Sequence, residues 1–338
     1  MTKRILITGL TGMVGSHLLD FLIENTDWEI HGLIRWRSSL DNIINHICLI
    51  NQRKRITLHY GDIRDIGSLE LIFASVKFDI VFHLAAQSYP KTSFESADDT
   101  FYTNINGTRN IMECCKKYCR NAIIHNCSSS EVFGRVPKDY VPIKEDTPFH
   151  PASPYAISKC SADLVGRYYA EAFDMNVLTT RMFTHTGPRR GDVFMESSFA
   201  KQIALAEKGY IEPVIMTGNL NSIRTIADVR DAVRAYYLLV TTPGIKKGSC
   251  FNIGGNFTAS VDEILSMLIN LSSLKSLSSR VDEERLRPID ADLQIPDTSR
   301  FRLQTNWEPM ISFETTMCDL LDYWRYRVHR SGNVFLQR

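Results

Sequence analysis

The sequence predicts a doubly wound, parallel α/β sheet with a smaller, discontinuous C-terminal lobe. Three observations predict it. Short apolar runs alternate with longer amphipathic stretches through the first half, several runs are apolar at successive positions, and a glycine-rich turn joins the first run to the first amphipathic stretch. Alternating strand and helix patterns build parallel sheets. Unbroken apolar runs belong to strands covered on both faces by helices.

Taken in order, the strands are expected at residues 4–8, 29–34, 56–58, 80–84 and 122–127. Two more are expected at 175–182 and at 249–253, the latter ending in Gly254-Gly255. Residues near 186–215 and 257–328 carry helical patterns with proline-rich joins and no composition break sharp enough for a linker. The reading is a first domain of residues 1–185 plus about 216–253, and a second lobe of about 186–215 and 254–330. The polar tail from Arg330 onward is expected to fray.

Composition narrows the functional classes. The 338 residues are 44% hydrophobic, and 39 basic against 38 acidic side chains leave a formal charge of +1. Such a balance offers no global field for nucleic acid or an anionic membrane, so any anion must be caught locally. No apolar run approaches the roughly 20 residues of a membrane span, and the N-terminus enters a strand pattern without a signal peptide. A cytoplasmic protein is expected. The eight cysteines form no CxxC pair and no zinc spacing with histidine, so reduced thiols and no metal are expected.

The first strand runs into Thr8-Gly9-Leu10-Thr11-Gly12-Met13-Val14-Gly15, followed by an apolar helix face. Glycines there permit a tight turn and close backbone approach, which seats a pyrophosphate on a helix N-terminus. The predicted class is therefore a Rossmann-type dinucleotide fold, with the GxxGxxG spacing of the short-chain dehydrogenase/reductase superfamily. After the second strand, where an NAD enzyme usually places a carboxylate for the ribose, stand Arg35, Arg37, Ser38 and Ser39. Guanidinium and hydroxyl groups suit a 2′-phosphate, so NADP is expected ahead of NAD. Asp62 and Ile63 after the third strand, with Leu84, Ala85, Ala86 and Ser88 after the fourth, fall where that superfamily holds adenine and lines the cofactor cleft.

Tyr155 and Lys159 form YxxxK. Four residues apart on a helix they share a face, and a neighbouring ammonium is expected to lower the phenol pKa. Tyr155 is the candidate base for a sugar hydroxyl, and Lys159 can also hold the nicotinamide ribose. The strand at 122–127 runs into Ser128-Ser129-Ser130-Glu131, at the carboxyl end where such sheets bind ligands. Ser129 is assigned to bridge the phenol and the sugar C4 oxygen, and Glu131 to remove a carbon-bound proton once a neighbouring carbonyl acidifies it. Ser128 and Ser130 also read as turn formers.

On these residues, with Asn104-Ile105-Asn106-Gly107-Thr108, the chain resembles an extended short-chain dehydrogenase/reductase over nearly its whole length. Arg35 with Arg37-Ser38-Ser39, Gln87-Ser88 followed by Ser93-Phe94-Glu95, His185 to Gly191, and Gly218-Asn219-Leu220 leading to Arg224 resemble its GDP-mannose 4,6-dehydratase branch. The resemblance implies a Thr-x-Glu triplet, tyrosine, lysine and NADP sharing an internal redox cycle. It places His185 and Arg190 near the cofactor, Ser88, Ser130 and Thr184 at the sugar, and Arg224 and Arg287 on the nucleotide diphosphate. It further implies a homo-oligomer, dimer or tetramer, through helices near 104–118 and 155–172.

The chain departs from the branch in three places: Ser129 replaces the threonine of the triplet, Thr184 stands for an asparagine and Thr225 for an aspartate. GDP-N-acetylglucosamine therefore stays open beside GDP-mannose. Sugar-nucleotide 4-epimerases, 4-ketoreductases and glucuronate decarboxylases share the C4 oxidation or its reverse, and Glu131 tilts the reading toward dehydration. A non-catalytic NADP-binding scaffold is the remaining alternative.

Overall fold

A computed structural model of the chain describes residues 2–286 and 291–331. In chain order the first half comprises β1 (Arg4–Thr8), α1 (Met13–Asn25), β2 (Glu29–Ile34), α2 (Ile47–Asn51), β3 (Ile56–Tyr60), α3 (Ile66–Ser75) and β4 (Ile80–His83). There follow α4 (Pro90–Glu95), α5 (Ala97–Phe101), α6 (Gly107–Tyr118), β5 (Ile123–Cys127) and α7 (Pro154–Phe173). The second half holds β6 (Asn176–Met182), β7 (His185–Thr186), α8 (Met195–Glu207), β8 (Val214–Thr217), β9 (Ile223–Asp228), α9 (Val229–Thr241) and β10 (Cys250–Ile253). It closes with β11 (Phe257–Ser260), α10 (Val261–Asn270), β12 (Ser278–Val281), β13 (Leu293–Gln294), α11 (Ser299–Thr305) and α12 (Phe313–Ser331).

Seven strands form one parallel sheet in the order β10-β6-β5-β4-β1-β2-β3. Side chains on successive strand residues point to opposite faces, and β1 shows both destinations. Ile5 and Ile7 join Leu18, Leu19 and Leu22 of α1 with Tyr236 and Leu239 of α9. Leu6 joins Leu69 and Phe73 of α3, Ile111 and Met112 of α6 and Tyr169 of α7. Both faces are thus dry, which is why these strands read as unbroken apolar runs. The strand order reverses between β1 and β4, so the crevice beyond their carboxyl ends is where a ligand settles in this topology.

A separate core of Phe199, Ile203, Ile215, Ile264, Leu320 and Trp324 gathers α8, α10 and α12 around the smaller sheets. Here the chain path differs from the sequence expectation for residues 216–253. β8 pairs with β12, and β9 pairs with β7, β11 and β13, so this stretch rejoins the main sheet only from α9 onward. Its apolar residues read as strand in either sheet, and the partner strands lie too far along the chain for local pattern to choose. α12 runs through Ser331, and the rest of the tail expected to fray lies outside the described residues.

Helix α7, which carries the YxxxK residues, starts at a fixed point. Ser153 Oγ accepts from the Ala156 N–H at 3.0 Å, and Pro154 occupies the first turn, where its missing N–H costs nothing. The glycine turn before α1 is equally constrained. Gly9 has φ +71°, and a Cβ there would stand 3.0 Å from the Ala85 backbone. A Cβ on Gly15 would lie 2.3 Å from the Gly9 carbonyl oxygen, against backbone that cannot swing aside. Gly15→Ala is expected to cost on the order of 1–3 kcal/mol and to open the turn. Chemical denaturation together with dinucleotide binding checks this; a variant with unchanged stability and binding would contradict the close packing.

Candidate active site

The cofactor cradle is built first from what α1 lacks. No side chain caps its N-terminus at Gly12, so the N–H groups of its first turn are left for an anion. Thr8, at the end of β1, secures the opposite wall. Its Oγ1 accepts from the Leu84 and Ala85 N–H groups, both at 3.0 Å, and meets His83 Nδ1 at 3.0 Å. With both lone pairs used, the hydroxyl donates its proton to Nδ1. His83 then donates through Nε2 to Thr108 Oγ1 at 3.1 Å, which donates to the Asn104 carbonyl at 2.7 Å. Burial lowers the His83 pKa to about 3, which agrees with this neutral tautomer.

Asn104 sits in a π-helical turn, Tyr102–Asn106, that leads into α6. Its side chain accepts from the Gln87 N–H at 2.8 Å and donates to the Gln87 carbonyl at 2.9 Å and to Ser158 Oγ at 2.8 Å. Ser158 in turn donates to the Tyr155 carbonyl at 2.6 Å. The loop carrying Leu84, Ala85 and Ala86 is thereby tied to both the glycine turn and the helix of the tyrosine.

At the far end of the cradle Arg35 is exposed after β2, Arg37 stacks 4.9 Å from the ring of the exposed Trp36, and the Ser38 N–H closes a turn onto the Arg35 carbonyl at 2.9 Å. Asp62 lies beyond β3, as the sequence suggests, but its carboxylate is taken up by Arg64 through Nε and Nη2. Burial works to raise that carboxyl, and the Arg64 hydrogen bonds with the field of Arg35 outweigh it, leaving its pKa lowered. Ile63 packs under Gly107, where a Cβ would lie 2.6 Å from Ile63 Cδ1. A backbone cradle that any Cβ would fill, an uncapped helix end and exposed arginines together fit a dinucleotide.

The reacting side chains gather where β5 meets α7. Ser129 Oγ accepts from the Glu131 N–H at 3.2 Å as Ser130–Val132 turn into a short 3-10 segment. The Ser129 hydroxyl also acts on the Tyr155 phenol, pulling its pKa down against the effect of burial. Ser130 is buried, Glu131 half-buried, and the Tyr155 N–H is anchored on Ser93 Oγ at 3.0 Å. One expectation is corrected here. Lys159 Nζ donates to the Cys127 carbonyl at 2.7 Å, and the phenol pKa is raised rather than lowered, chiefly by burial. Ser129 and Arg190 oppose that rise, while Cys127 and Glu131 add to it. Helical spacing fixes which face a lysine shares, not where four rotatable bonds take its ammonium.

The 187–191 loop closes the crevice. His17 Nε2 meets the Pro188 carbonyl at 3.0 Å, and Arg189 pairs with Asp20 of α1 at 2.7 Å. Arg190 stacks its guanidinium 3.3 Å over the Phe194 ring and stands 3.3 Å from Glu196. His185 Nδ1 donates to the Phe183 carbonyl at 3.1 Å, and burial with the field of Arg190 lowers its pKa to about 4.

The predicted substrate residues that the structure describes fall on separate elements. Ser88 is exposed in the loop after β4. Thr184 links β6 to β7 and accepts the Ala227 N–H at 2.9 Å through its carbonyl. Arg224 lies in β9, opposite Ala259 and Gln294. Thr225 is turned away, its hydroxyl buried against Thr258 at 2.7 Å. Arg287 lies outside the described residues. Arg285, which sequence reasoning missed, reaches Ser198 in the first turns of α8 at 3.3 Å. The Asn104 hub and the Glu196–Arg190 pair were missed as well. Among the described residues no group of three or more His, Cys, Asp or Glu side chains is arranged to hold a metal, and no helix is long and apolar enough to cross a membrane.

The family model described as GDP-mannose 4,6 dehydratase matches residues 6–320. The chain is 31% identical to GDP-mannose 4,6 dehydratase 1 of Arabidopsis thaliana over 95% of its own length and 89% of the relative's. Among solved structures, RMD of Pseudomonas aeruginosa, complexed with NADPH, matches at 26% identity with a TM-score of 0.80, covering 97% of this chain and 100% of that one. UDP-glucuronic acid 4-epimerase of Bacillus cereus, in complex with UDP-glucuronic acid and NAD, matches at 25% identity with a TM-score of 0.84, covering 96% and 99%.

Three buried histidines set an acid limit on stability. Burial lowers His17 to about 4 and His83 and His125 to about 3, from 6.5. With folded values below unfolded ones, the unfolded chain binds more protons, so the stability these groups contribute is present above pH 6.5 and is lost as pH falls below it. Each adds a slope approaching about 1.4 kcal/mol per pH unit. Urea midpoints are expected to drop steeply from about pH 7 to about pH 5; a flat profile would mean these imidazoles accept protons in the fold.

Proposed function

The chain belongs to the GDP-mannose 4,6-dehydratase family, and on that premise we propose that it is a lyase converting GDP-mannose to the 4-keto-6-deoxy sugar nucleotide. The observation that carries this reading is the Ser129, Glu131 and Tyr155 cluster: one serine hydroxyl accepts from the backbone N–H of the glutamate, and Ser129 and Glu131 both act on the phenol's pKa. A hydroxyl, a base and a carboxylate thus stand together at the open end of β5.

Tyr155 takes the C4 hydroxyl proton, with Ser129 steering the oxygen by its hydrogen bond. The new C4 carbonyl acidifies the C5 hydrogen, and Glu131 removes it as hydroxide leaves C6 with the proton Tyr155 took from the C4 hydroxyl, forming water; once C6 is reduced, Glu131 returns its proton to C5. A nicotinamide dinucleotide, when bound, would supply the acceptor and then the donor of the hydride that C4 loses and C6 gains, so nothing would be consumed. Gly9, Gly12, Met13, Val14 and Gly15 would hold its pyrophosphate, Thr8 and the 84–86 loop its inner edge, and Lys159 its nicotinamide ribose. Arg35, Arg37 and Ser38, with no carboxylate among them, support NADP over NAD. His185 and Arg190 close over the same crevice, and Ser88, Ser130, Thr184, Arg224 and Arg287 are assigned to the nucleotide sugar. GDP-N-acetylglucosamine is the second candidate substrate, since Thr184 and Thr225 change the sugar end.

The same reading divides the chain into a cofactor domain and a substrate lobe, the 216–228 part of the expected cofactor domain going to the lobe with the smaller sheets, in a cytoplasmic homo-oligomer. Supporting the last point, Ile157, Leu164 and Tyr168 lie exposed in one stripe along α7.

Purified protein incubated with GDP-mannose and with GDP-N-acetylglucosamine, without added reductant, is expected to release one water from the former. Glu131→Gln and Tyr155→Phe are each expected to lower kcat by about 10²–10⁴-fold. Isomerisation without mass change would indicate a 4-epimerase, and turnover only with added NADPH a 4-ketoreductase. For the cofactor, Arg35→Ala is expected to weaken NADP about tenfold or more while leaving NAD nearly unchanged, as read by direct binding. Equal losses for both would remove the 2′-phosphate assignment.

A further inference from the structure

A single carboxylate on α1 holds two loops that come from distant parts of the chain. Asp20 Oδ1 accepts from His46 Nε2 at 2.6 Å, and Asp20 Oδ2 accepts from Arg189 Nη1 at 2.7 Å. All three side chains are largely enclosed, His46 at 14% exposed, Arg189 at 16% and Asp20 at 26%. His46 ends the 3-10 turn Asp41–His46, whose Ile43 packs in one core with Leu18, Leu19 and Leu22 of α1. In the same turn Asn42 Nδ2 donates to the Thr11 carbonyl of the glycine turn at 2.9 Å, and the Asp41 N–H donates to Ser39 Oγ at 3.2 Å, next to Arg37 and Ser38. On the other side stands the 187–191 loop. His17, three residues before Asp20 and on the same helix face, meets its Pro188 carbonyl at 3.0 Å. Arg189 itself has φ +68°, a left-handed conformation that costs a residue with a Cβ, so the backbone alone does not favour the shape in which Asp20 holds it.

We propose that Asp20 is a positioning residue that couples the two ends of the dinucleotide crevice. A 2′-phosphate seated among Arg35, Arg37 and Ser38 steadies the Asp41–His46 turn, and the chain His46, Asp20, Arg189 passes that order to the loop that carries Arg190. A carboxylate gripped on each oxygen by a different donor is fixed in orientation by both, so losing either donor frees it toward the other. Such coupling is reciprocal: what His46 does for the Arg189 loop, Arg189 does for the His46 turn. Asp20 acts through these two loops and not on the reacting atoms. The inference rests on the dinucleotide reading of Arg35, Arg37 and Ser38.

Amide hydrogen exchange reads both loops without turnover. The Arg190 N–H donates to the Gly187 carbonyl at 3.2 Å and the Ile43 N–H to the Leu40 carbonyl at 2.9 Å, so each loop carries a reporting amide. In the ligand-free protein, His46→Ala is expected to speed exchange at Arg190, and Arg189→Ala to speed it at Ile43, each by about fivefold or more. Asp20→Asn is expected to speed both, and Asp20→Glu, which keeps the charge, to restore most of the protection. Amides of β4 report any general loss of stability and are expected to move less than the loops. Adenosine 2′,5′-bisphosphate is then added as a probe of the 2′-phosphate end alone. It lacks the nicotinamide half, so any slowing at Arg190 is transmitted through the protein. Slowing is expected at Ile43 and Arg190 in the parent, and at Ile43 alone in Asp20→Asn.

The proposal is overturned if His46→Ala leaves Arg190 untouched and Arg189→Ala leaves Ile43 untouched. It is also overturned if the bisphosphate binds by calorimetry yet slows only Ile43 in the parent, or if slowing at Arg190 persists in Asp20→Asn. Should Asp20→Asn fail to fold, the two single-arm variants and the parent with the bisphosphate decide the matter by themselves. If the cross effects appear but the bisphosphate does not bind, the clamp stands and the 2′-phosphate reading falls.

Discussion

A run of buried hydrogen bonds crosses the molecule from the cofactor turn to the reacting tyrosine, and the geometry of the site hangs from it. Thr8 on β1, His83 on β4, Thr108 on α6, Asn104 in the π-turn and Ser158 on α7 hand protons in one direction to the Tyr155 carbonyl. All five side chains are at most 4% exposed. A buried bond of this kind adds only about 1 kcal/mol net, but a partner left orphaned costs about 1–3 kcal/mol. The run is therefore hard to rearrange in part. Two strands and two helices that share no local sequence are held in one frame, with the dinucleotide cradle at one end and the base at the other.

Much of this was legible. The glycine turn declares itself because glycine takes φ +71° at Gly9 without strain and a Cβ at Gly15 would collide with backbone. The seven strands of the main sheet announce themselves because burial on two faces leaves apolar residues at successive positions. YxxxK after a strand ending in Ser-Ser-Ser-Glu was enough to place Ser129, Glu131 and Tyr155 together. Each of these signals comes from local backbone geometry or from the position of a strand end.

The rest depends on rotamers and long-range pairing, which sequence spacing does not carry. Lys159 shares a face with Tyr155, yet its ammonium is bound to a carbonyl of β5. Asp62 stands where expected, with its carboxylate already spent on Arg64, two residues away. Segment 214–228 reads as strand in any sheet, and only the tertiary fold assigns it to the smaller ones. Glu196 did leave a trace: positions 196, 199, 200 and 203 form one helical stripe, and Phe199, Ala200 and Ile203 are core. A carboxylate on an apolar stripe marks a buried charge, and a buried charge asks for a partner.

That partner is Arg190, whose Nε lies 3.3 Å from Glu196 Oε1. Burial alone raises the phenol of Tyr155, so an undisturbed site holds it neutral and a poor base. Its basic form becomes accessible only as positive charge is placed beside it, and the low dielectric that penalises the phenolate also magnifies each added charge. The 187–191 loop that carries Arg190 is itself clasped to α1, Arg189 pairing with Asp20 at 2.7 Å and His17 meeting the Pro188 carbonyl at 3.0 Å, so it is held by the same helix that opens the dinucleotide cradle.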